Sequence, residues 1–364
     1  MSPIARERRG IALPLVLWAM VIGSALLTVV VFLILQEQRA GQAGRRLVHT
    51  FTRAEAGLAE VLEGWTPGTL NRALPGNLDS LGVVGSDTAV GEESPAIRRL
   101  NQGLYLMAVR VRDGTTEARL GRLVRVRPEQ LAVPAALTSG DEVRLGGVAI
   151  ISGEDETPTD STECPPPDSA VAGVAAPAIL TTDAPVITGS PPTVTRQHAD
   201  SGLDPDALEA FQDLVSQAVL DLPGGSWETG PATVGTACSV EVPGNWGDPD
   251  SSSGPCSAYM PIIHVGGDLE LLPGRGQGIL LVDGALKLHG PYRFAGLLMV
   301  RGRLEVIPGD TVKLRGAVFA GGAGLEATPP AVLSITYSKC LLSKALLSSG
   351  RLIPLRSRSW KALF

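Results

Sequence analysis

The sequence predicts an α+β protein: a long N-terminal helix, transmembrane then amphipathic, followed by a β-rich domain with a parallel β-solenoid (β-helix) in its C-terminal part. Three observations predict it. Ile11 to Leu35 is a run of 25 residues without a charge. An apolar stripe of helical period continues that run, and a strand-turn-strand pattern recurs three times between Gly267 and Ala320. Composition agrees, because 43 glycines and 28 prolines in 364 residues favour turns over further long helices. With 19% charged residues and a net charge of −6, the chain is neither a strongly basic nucleic-acid binder nor a highly charged disordered one.

Residues 1–10 are short and polar, with Arg6, Arg8 and Arg9 against Glu7. The uncharged run that follows spans about 37 Å as a helix, more than the ~30 Å of a bilayer core. It is too long for a secretory signal core, and no A-x-A-like cleavage site follows it. It therefore reads as a membrane helix. Arg39, Arg45, Arg46 and Arg53 lie beyond it, so charge alone leaves its orientation open. Leu47, Phe51, Ala54, Leu58 and Val61 then fall at spacings of 4, 3, 4 and 3, and Gly64 with Pro67 makes a stop. One helix over residues 11–63 is expected, its second half packing on the domain that follows.

The string ERRGIALPLVLW, the apolar span and FTRAEAGLAEVL resemble the start of type IV pilin-like proteins, and of PilX-type minor pilins in particular. Arg9, Gly10, Ala12 and Leu13 match the R-G-x-A-L motif; Ala54, Glu55, Ala56, Gly57 and Leu58 match A-E-A-G-L. The resemblance implies that residues 1–10 are a prepilin leader, cut by a prepilin peptidase between Gly10 and Ile11, with methylation of the new N-terminus. It implies inner-membrane lipid and other pilins or pseudopilins as partners of the helix, and the bulk of the chain outside the inner membrane. Major pilins carry a glutamate at the fifth residue after the cut; here that residue is Leu15. The K-type minor pseudopilins of type II secretion also lack the acid, which suggests a minor or tip-associated role. The residues alone leave an uncleaved signal anchor as the alternative.

Residues 64–138 read as loops around a hairpin. Leu104 to Val126 alternates valines and leucines with arginines about a turn at Asp113-Gly114-Thr115-Thr116. The arginines have no interleaved aromatics, so they read as a solvated face and not as a nucleic-acid surface. Residues 139–260 hold nineteen acidic residues against Arg144 and Arg196. They read as an acidic, loop-rich insertion with one helix, Asp204 to Leu220, whose face is Leu208, Phe211, Leu214, Val215 and Val219. Asp204 or Asp206 offers its N-cap.

Residues 261–336 carry the repeat: GDLELLPGRGQGILLV, DGALKLHGPYRFAGLLMV and RGRLEVIPGDTVKLRGAVFA. Each unit opens on a G-x-L-x-L or G-x-L-x-V strand and closes on glycine and an apolar run. Units this small bury a core only by stacking, which is the solenoid pattern; a hairpin meander is the alternative. The GQGILLVDGALKLHG stretch also resembles the C-terminal region of the PilX-like group, implying an architectural module. Residues 337–364 hold six lysines and arginines and no acid. Trp360 and Phe364 would cap the open end of the stack, or the basic tail would meet the acidic region.

Cys164, Cys238, Cys256 and Cys340 are an even set that suits disulfides in an oxidising compartment. Of three connectivities, Cys238–Cys256 is favoured because the pair brackets a turn-rich loop, and Cys164–Cys340 follows by elimination. Zinc is disfavoured by the lack of C-x-x-C. Asn245, Asp248 and Asp250, with Ser252, form a weak calcium candidate. Gly274-Arg275-Gly276-Gln277-Gly278 reads as a corner of the stack, since no Lys-Ser/Thr follows it. His49, His198, His264 and His289 stand in no catalytic context. No cofactor and no catalytic residue is expected; a carbohydrate-active β-helix is the enzymatic rival. The expected function is a minor pilin-like subunit, and the rival from another class is a permanently anchored envelope β-solenoid.

Overall fold

The computed structural model describes residues 12–63, 78–80, 94–101, 103–113, 116–128, 130–158, 164, 167, 170–196, 202–321, 325–327, 330–355 and 360–362. Arg9, Gly10, Ile11, His198 and Phe364 lie outside the described residues.

Helix α1 (Ala12–Glu63) is 52 residues long. It is long and apolar enough to cross a membrane, and none of its apolar half is buried among the described residues. Inside that half the hydroxyls of Ser24 and Thr28 donate to the carbonyls of Val21 and Ser24, so both hydroxyls are satisfied within the helix. The second half packs as expected, on a stripe that keeps Ala54 and Leu58 of the expected one and turns away from Leu47 and Phe51. Thr50, Ala54 and Leu58 are fully buried and Leu62 joins them, whereas Leu47 and Phe51 are 56% and 40% exposed. Small residues at 50 and 54 let a sheet approach the helix closely, and the Thr50 hydroxyl donates to the Arg46 carbonyl at 2.7 Å.

That sheet is antiparallel: β1 (Leu78–Ser80), β2 (Ser94–Asn101), β3 (Leu104–Asp113) and β4 (Thr116–Arg127). The expected hairpin is β3–β4, in register from Leu104↔Arg125 to Asp113↔Thr116. Its valine-rich face, with Ile97, Tyr105, Met107 and Leu120, meets α1.

Two strands from the end of the chain complete this sheet at six, and the others form one 16-stranded sheet and a short hairpin. First come β5 (Ala135–Ser139), β6 (Val143–Leu145), β7 (Val148–Ser152), β8 (Ala172–Ala176), β9 (Ile179–Thr181), β10 (Val186–Thr188) and β11 (Thr193–Thr195). Helix α2 (Pro205–Val215) follows, then β12 (Leu220–Trp227) and the hairpin β13 (Thr233–Val234) with β14 (Ala237–Cys238). The C-terminal series is β15 (Ile262–Leu271), β16 (Gly274–Val282), β17 (Leu286–Leu288), β18 (Tyr292–Val300), β19 (Leu304–Val306), β20 (Thr311–Ala320), β21 (Leu325–Ala327) and β22 (Val332–Tyr337). Helix α3 (Lys339–Leu347) and strands β23 (Arg351–Pro354) and β24 (Trp360–Ala362) end the described chain.

The large sheet is parallel throughout and resolves into three ladders. One passes through β12, β15, β16, β18, β20, β5, β8 and β11. A second passes through β12, β15, β17, β19, β21, β6 and β9. The third passes through β16, β18, β20, β22, β7 and β10. The repeat units pair as they align in sequence, Ile279↔Leu297↔Ala317, and their apolar runs are buried together. A meander of hairpins would pair these units antiparallel, which is not what they do. Where the third ladder passes into the first, Gly278, Gly296 and Gly316 stand in a column at φ +107°, +136° and +127°. A Cβ at Gly296 would collide with the carbonyl of Gly278, and one at Gly316 with that of Gly296. The turn requires glycine twice over, for its φ and for its space.

Two regions depart from expectation. The acidic segment is loop-rich as expected, but most of its short strands join the same ladders, β5–β11 extending them beyond β20–β22 although they come earlier in the chain. The tail does not cap the stack. Strands β23 and β24 pair antiparallel with β4, which would otherwise be a sheet edge. Helix α2 is shorter than expected and ends at Val215; Asp204 caps it by accepting from the Asp206 amide. Helix α3 buries Cys340, Leu341, Leu342, Ala345 and Leu346, and its Leu347 packs in the α1 cluster, so it joins the two cores.

Candidate functional site

The feature that distinguishes this fold is α1 and its seat. Ala54 and Leu58, four residues apart on one face, are buried against Ile97, Tyr105 and Val124. Glu55 and Ala56 of the same motif are exposed and Gly57 is half-buried. The A-E-A-G-L motif thus divides into two anchors and an outward pair. At the other end Ala12 lies in the first turn of α1, while Leu13 and Leu15 are 75% and 65% exposed. Leu15 brings no carboxylate to this end of the helix.

The cysteines pair as the spacing favoured. Cys238–Cys256 closes the loop holding β14, with Cα atoms 4.9 Å apart, and Cys164–Cys340 ties a distant segment to the start of α3 at 5.5 Å. Asn245 sits inside the first loop, fully buried. Its amide donates to the Ser239 carbonyl at 2.7 Å and to Ala232 at 3.2 Å, and its oxygen accepts from the Gly247 amide. Asp248 faces Arg275 at 3.1 Å, and Asp250 faces Arg293 at 2.9 Å and Arg275 at 3.6 Å. Guanidinium groups thus occupy both carboxylates of the weak calcium candidate, and the Asn245 oxygen is taken by the Gly247 amide. Gly274 to Gly278 runs along β16, with a corner at Gly278 only. Gln277 in that run is buried and donates to the carbonyls of Cys256, Ser257 and Tyr259 at 3.1, 2.9 and 2.9 Å.

Sequence reasoning missed the environment of two histidines. His264 on β15 holds Asp221 Oδ1 at 2.8 Å through Nδ1 and Asp283 Oδ2 at 3.1 Å through Nε2. His289, just past β17, holds Glu270 Oε1 at 2.7 Å, with Asp310 Oδ2 at 3.8 Å on the other nitrogen. Each imidazole thus lies between carboxylates from the neighbouring levels of the ladders. Ser226 also donates to Glu270 at 2.6 Å, and with His289 it holds that carboxyl below its ordinary value. No sequence motif announces such pairs, since partners 19 to 43 residues apart meet only through strand register. Among the described residues no group of three His, Cys, Asp or Glu side chains is arranged to hold a metal ion.

The molecule is thus of the class in which one long apolar helix carries a disulfide-bonded β-rich domain. No family model matches the chain, and no curated protein sequence matches it. Among solved structures it is similar to the crystal structure of the competence-associated pilin ComZ from Thermus thermophilus, at 14% sequence identity. That match covers 87% of this chain and 97% of the other, with a TM-score of 0.23.

Proposed function

We propose that the chain is a minor pilin-like subunit of a type IV pilus or a related type II secretion-type filament, acting by assembly and display and not by catalysis. The observation that carries this reading is the division of α1: an apolar half left exposed among the described residues, then a half seated on a sheet through Ala54 and Leu58. A helix so divided is suited to rest in lipid as a precursor and afterwards to pack among the helices of other pilins. Cleavage after Gly10 by a prepilin peptidase would make Ile11 the new N-terminus. With Leu15 where an acid would neutralise a neighbour's terminal amine, burial of that amine would be costly. The subunit therefore belongs at a position, such as a filament tip, where no such neighbour needs neutralising. The parallel ladders are read as the coils of a β-solenoid held outside the inner membrane, where the disulfides suit an oxidising compartment.

Mass spectrometry of the mature N-terminus tests this. A chain beginning at methylated Ile11, and only when prepilin peptidase is present, is the expected result. A chain retaining Met1 irrespective of the peptidase would overturn it in favour of a permanently anchored envelope protein.

A further inference from the structure

The face of the β1–β4 sheet turned away from α1 carries most of its arginines, in a definite arrangement. On β3 and β4, Arg110 lies opposite Arg119, and two residues along, Ala108 lies opposite Gly121. Beyond these come Leu106 opposite Leu123, with Arg98 of β2 beside Leu106, and then Leu104 opposite Arg125. Arg98, Arg110, Arg119 and Arg125 are all exposed. The small pair Ala108 and Gly121, with the leucine pair Leu106 and Leu123 beside it, therefore floors a trough that Arg110 and Arg119 bound at one end and Arg98 and Arg125 at the other. Arg119 and Arg125, six residues apart on one strand, put its walls about 20 Å apart, room for a helix about 10–12 Å across. Glu117 answers Arg110 and Arg119 at one wall. Arg98 and Arg125 at the other have no ion pair among the described residues. An exposed positive patch of this kind attracts a negatively charged surface.

The same chain carries a complementary ridge. Helix α2 turns Ala207, Ala210, Phe211 and Leu214 inward and leaves Asp206, Glu209 and Asp213 exposed. These three acids span about 10 Å along the helix. Glu209 and Asp213 have no ion pair among the described residues; the nearby cations are engaged elsewhere, Arg196 with Asp204 and Arg301 with Asp283. The surrounding segment, residues 139–260, is acidic nineteen to two, whereas residues 94–127 hold eight arginines against Asp113 and Glu117.

We propose that the arginine-walled trough of one copy docks the acidic α2 ridge of a second copy. The two patches are different surfaces, so the contact is heterologous and repeats head to tail. It does not require α1 to enter a filament. Charge complementarity of this kind sets register and partner choice more than raw affinity.

The test uses the full chain in detergent micelles, with two differently labelled populations mixed and association read by fluorescence energy transfer. Wild-type copies are expected to associate at about 0.05 M salt and to separate at about 0.5 M, where screening shortens the reach of exposed charges. The pair Arg98→Glu/Arg125→Glu and the pair Glu209→Lys/Asp213→Lys are each expected to weaken self-association about tenfold or more. A mixture of the two variants is expected to associate again, since each restores the other's complement. Should a reversal disturb the disulfides or the circular dichroism, R98Q/R125Q and E209Q/D213Q replace it, weakening association in the same direction. Wild-type copies that stay apart at low salt, variants that associate as wild type, or a mixture that stays apart would overturn the proposal. So would wild-type copies that bind soluble polyphosphate through Arg98 and Arg125 while remaining monomeric; that result gives the trough to a polyanion.

Discussion

Gly296 and Gly309 both adopt positive φ, +136° and +89°, but only Gly296 is also crowded by the next strand's backbone. A Cβ at Gly309 meets nothing within 4 Å. Gly309→Ala should therefore cost only backbone strain, about 1–2 kcal/mol. Gly296→Ala should cost more, because the strand pair β16–β18 must open to admit the methyl group. Denaturant titration of the two variants side by side checks this, and equal losses would show that stacking does not constrain the column. At the same scale, Glu117 between Arg110 and Arg119 is held down to about 2, first by the hydrogen bonds from those two guanidinium groups. Its carboxylate should stay ionised through an acid titration followed by NMR, and Arg110→Ala should bring its midpoint back toward the ordinary range. Single residues like these were partly legible. The glycines marked corners in the sequence, but which of them is also crowded depends on the strand lying beneath it.

At the scale of elements, the rotated stripe of α1 makes a direct comparison. Leu58→Ala should destabilise the α1–sheet unit by about 2–5 kcal/mol, as truncation of a buried leucine does. Phe51→Ala, although the larger truncation, should cost less, because Phe51 is 40% exposed. Chemical unfolding followed by near-ultraviolet dichroism distinguishes this from the stripe of Leu47, Phe51, Ala54, Leu58 and Val61 that sequence spacing suggests, where Phe51, the larger side chain, would cost more. The sequence periodicity was sufficient to find the helix and its end. It could not choose between adjacent stripes, because the choice rests on Thr50, a polar residue whose hydroxyl is satisfied within the helix. The ladders have their own pH response. Glu270 is held below its ordinary value, so its contribution is present above the unfolded glutamate pKa, about 4.3, and is lost as pH falls through the lower folded value. Ser226 is the first cause of that shift. Ser226→Ala should therefore flatten the fall in stability on the acid side while leaving the slope above neutrality alone.

For the whole molecule, the unevenness of charge becomes spatial. The basic tail joins the basic sheet at β4, while the acidic segment extends and flanks the ladders. The long helix, the repeat and both cysteine pairs could be read directly, since each depends on local period or on a short list of partners. The earlier strands β5–β11 could not. They are three to five residues long with prolines between them, and β5, β6 and β7 pair with strands nearly two hundred residues away. The tail was misjudged for a related reason: an apolar, aromatic end suits an open stack as well as an open sheet edge, and only register decides between them. Removing residues 348–364 tests which edge it serves. The truncated chain should lose amide protection along β4 and in the half of α1 that faces it, while β16, β18 and β20 keep theirs, because α3 and the Cys164–Cys340 bridge remain. Hydrogen exchange read by mass spectrometry separates the two regions. Loss of protection that begins in the ladders and spares β4 would show instead that the tail closes the stack.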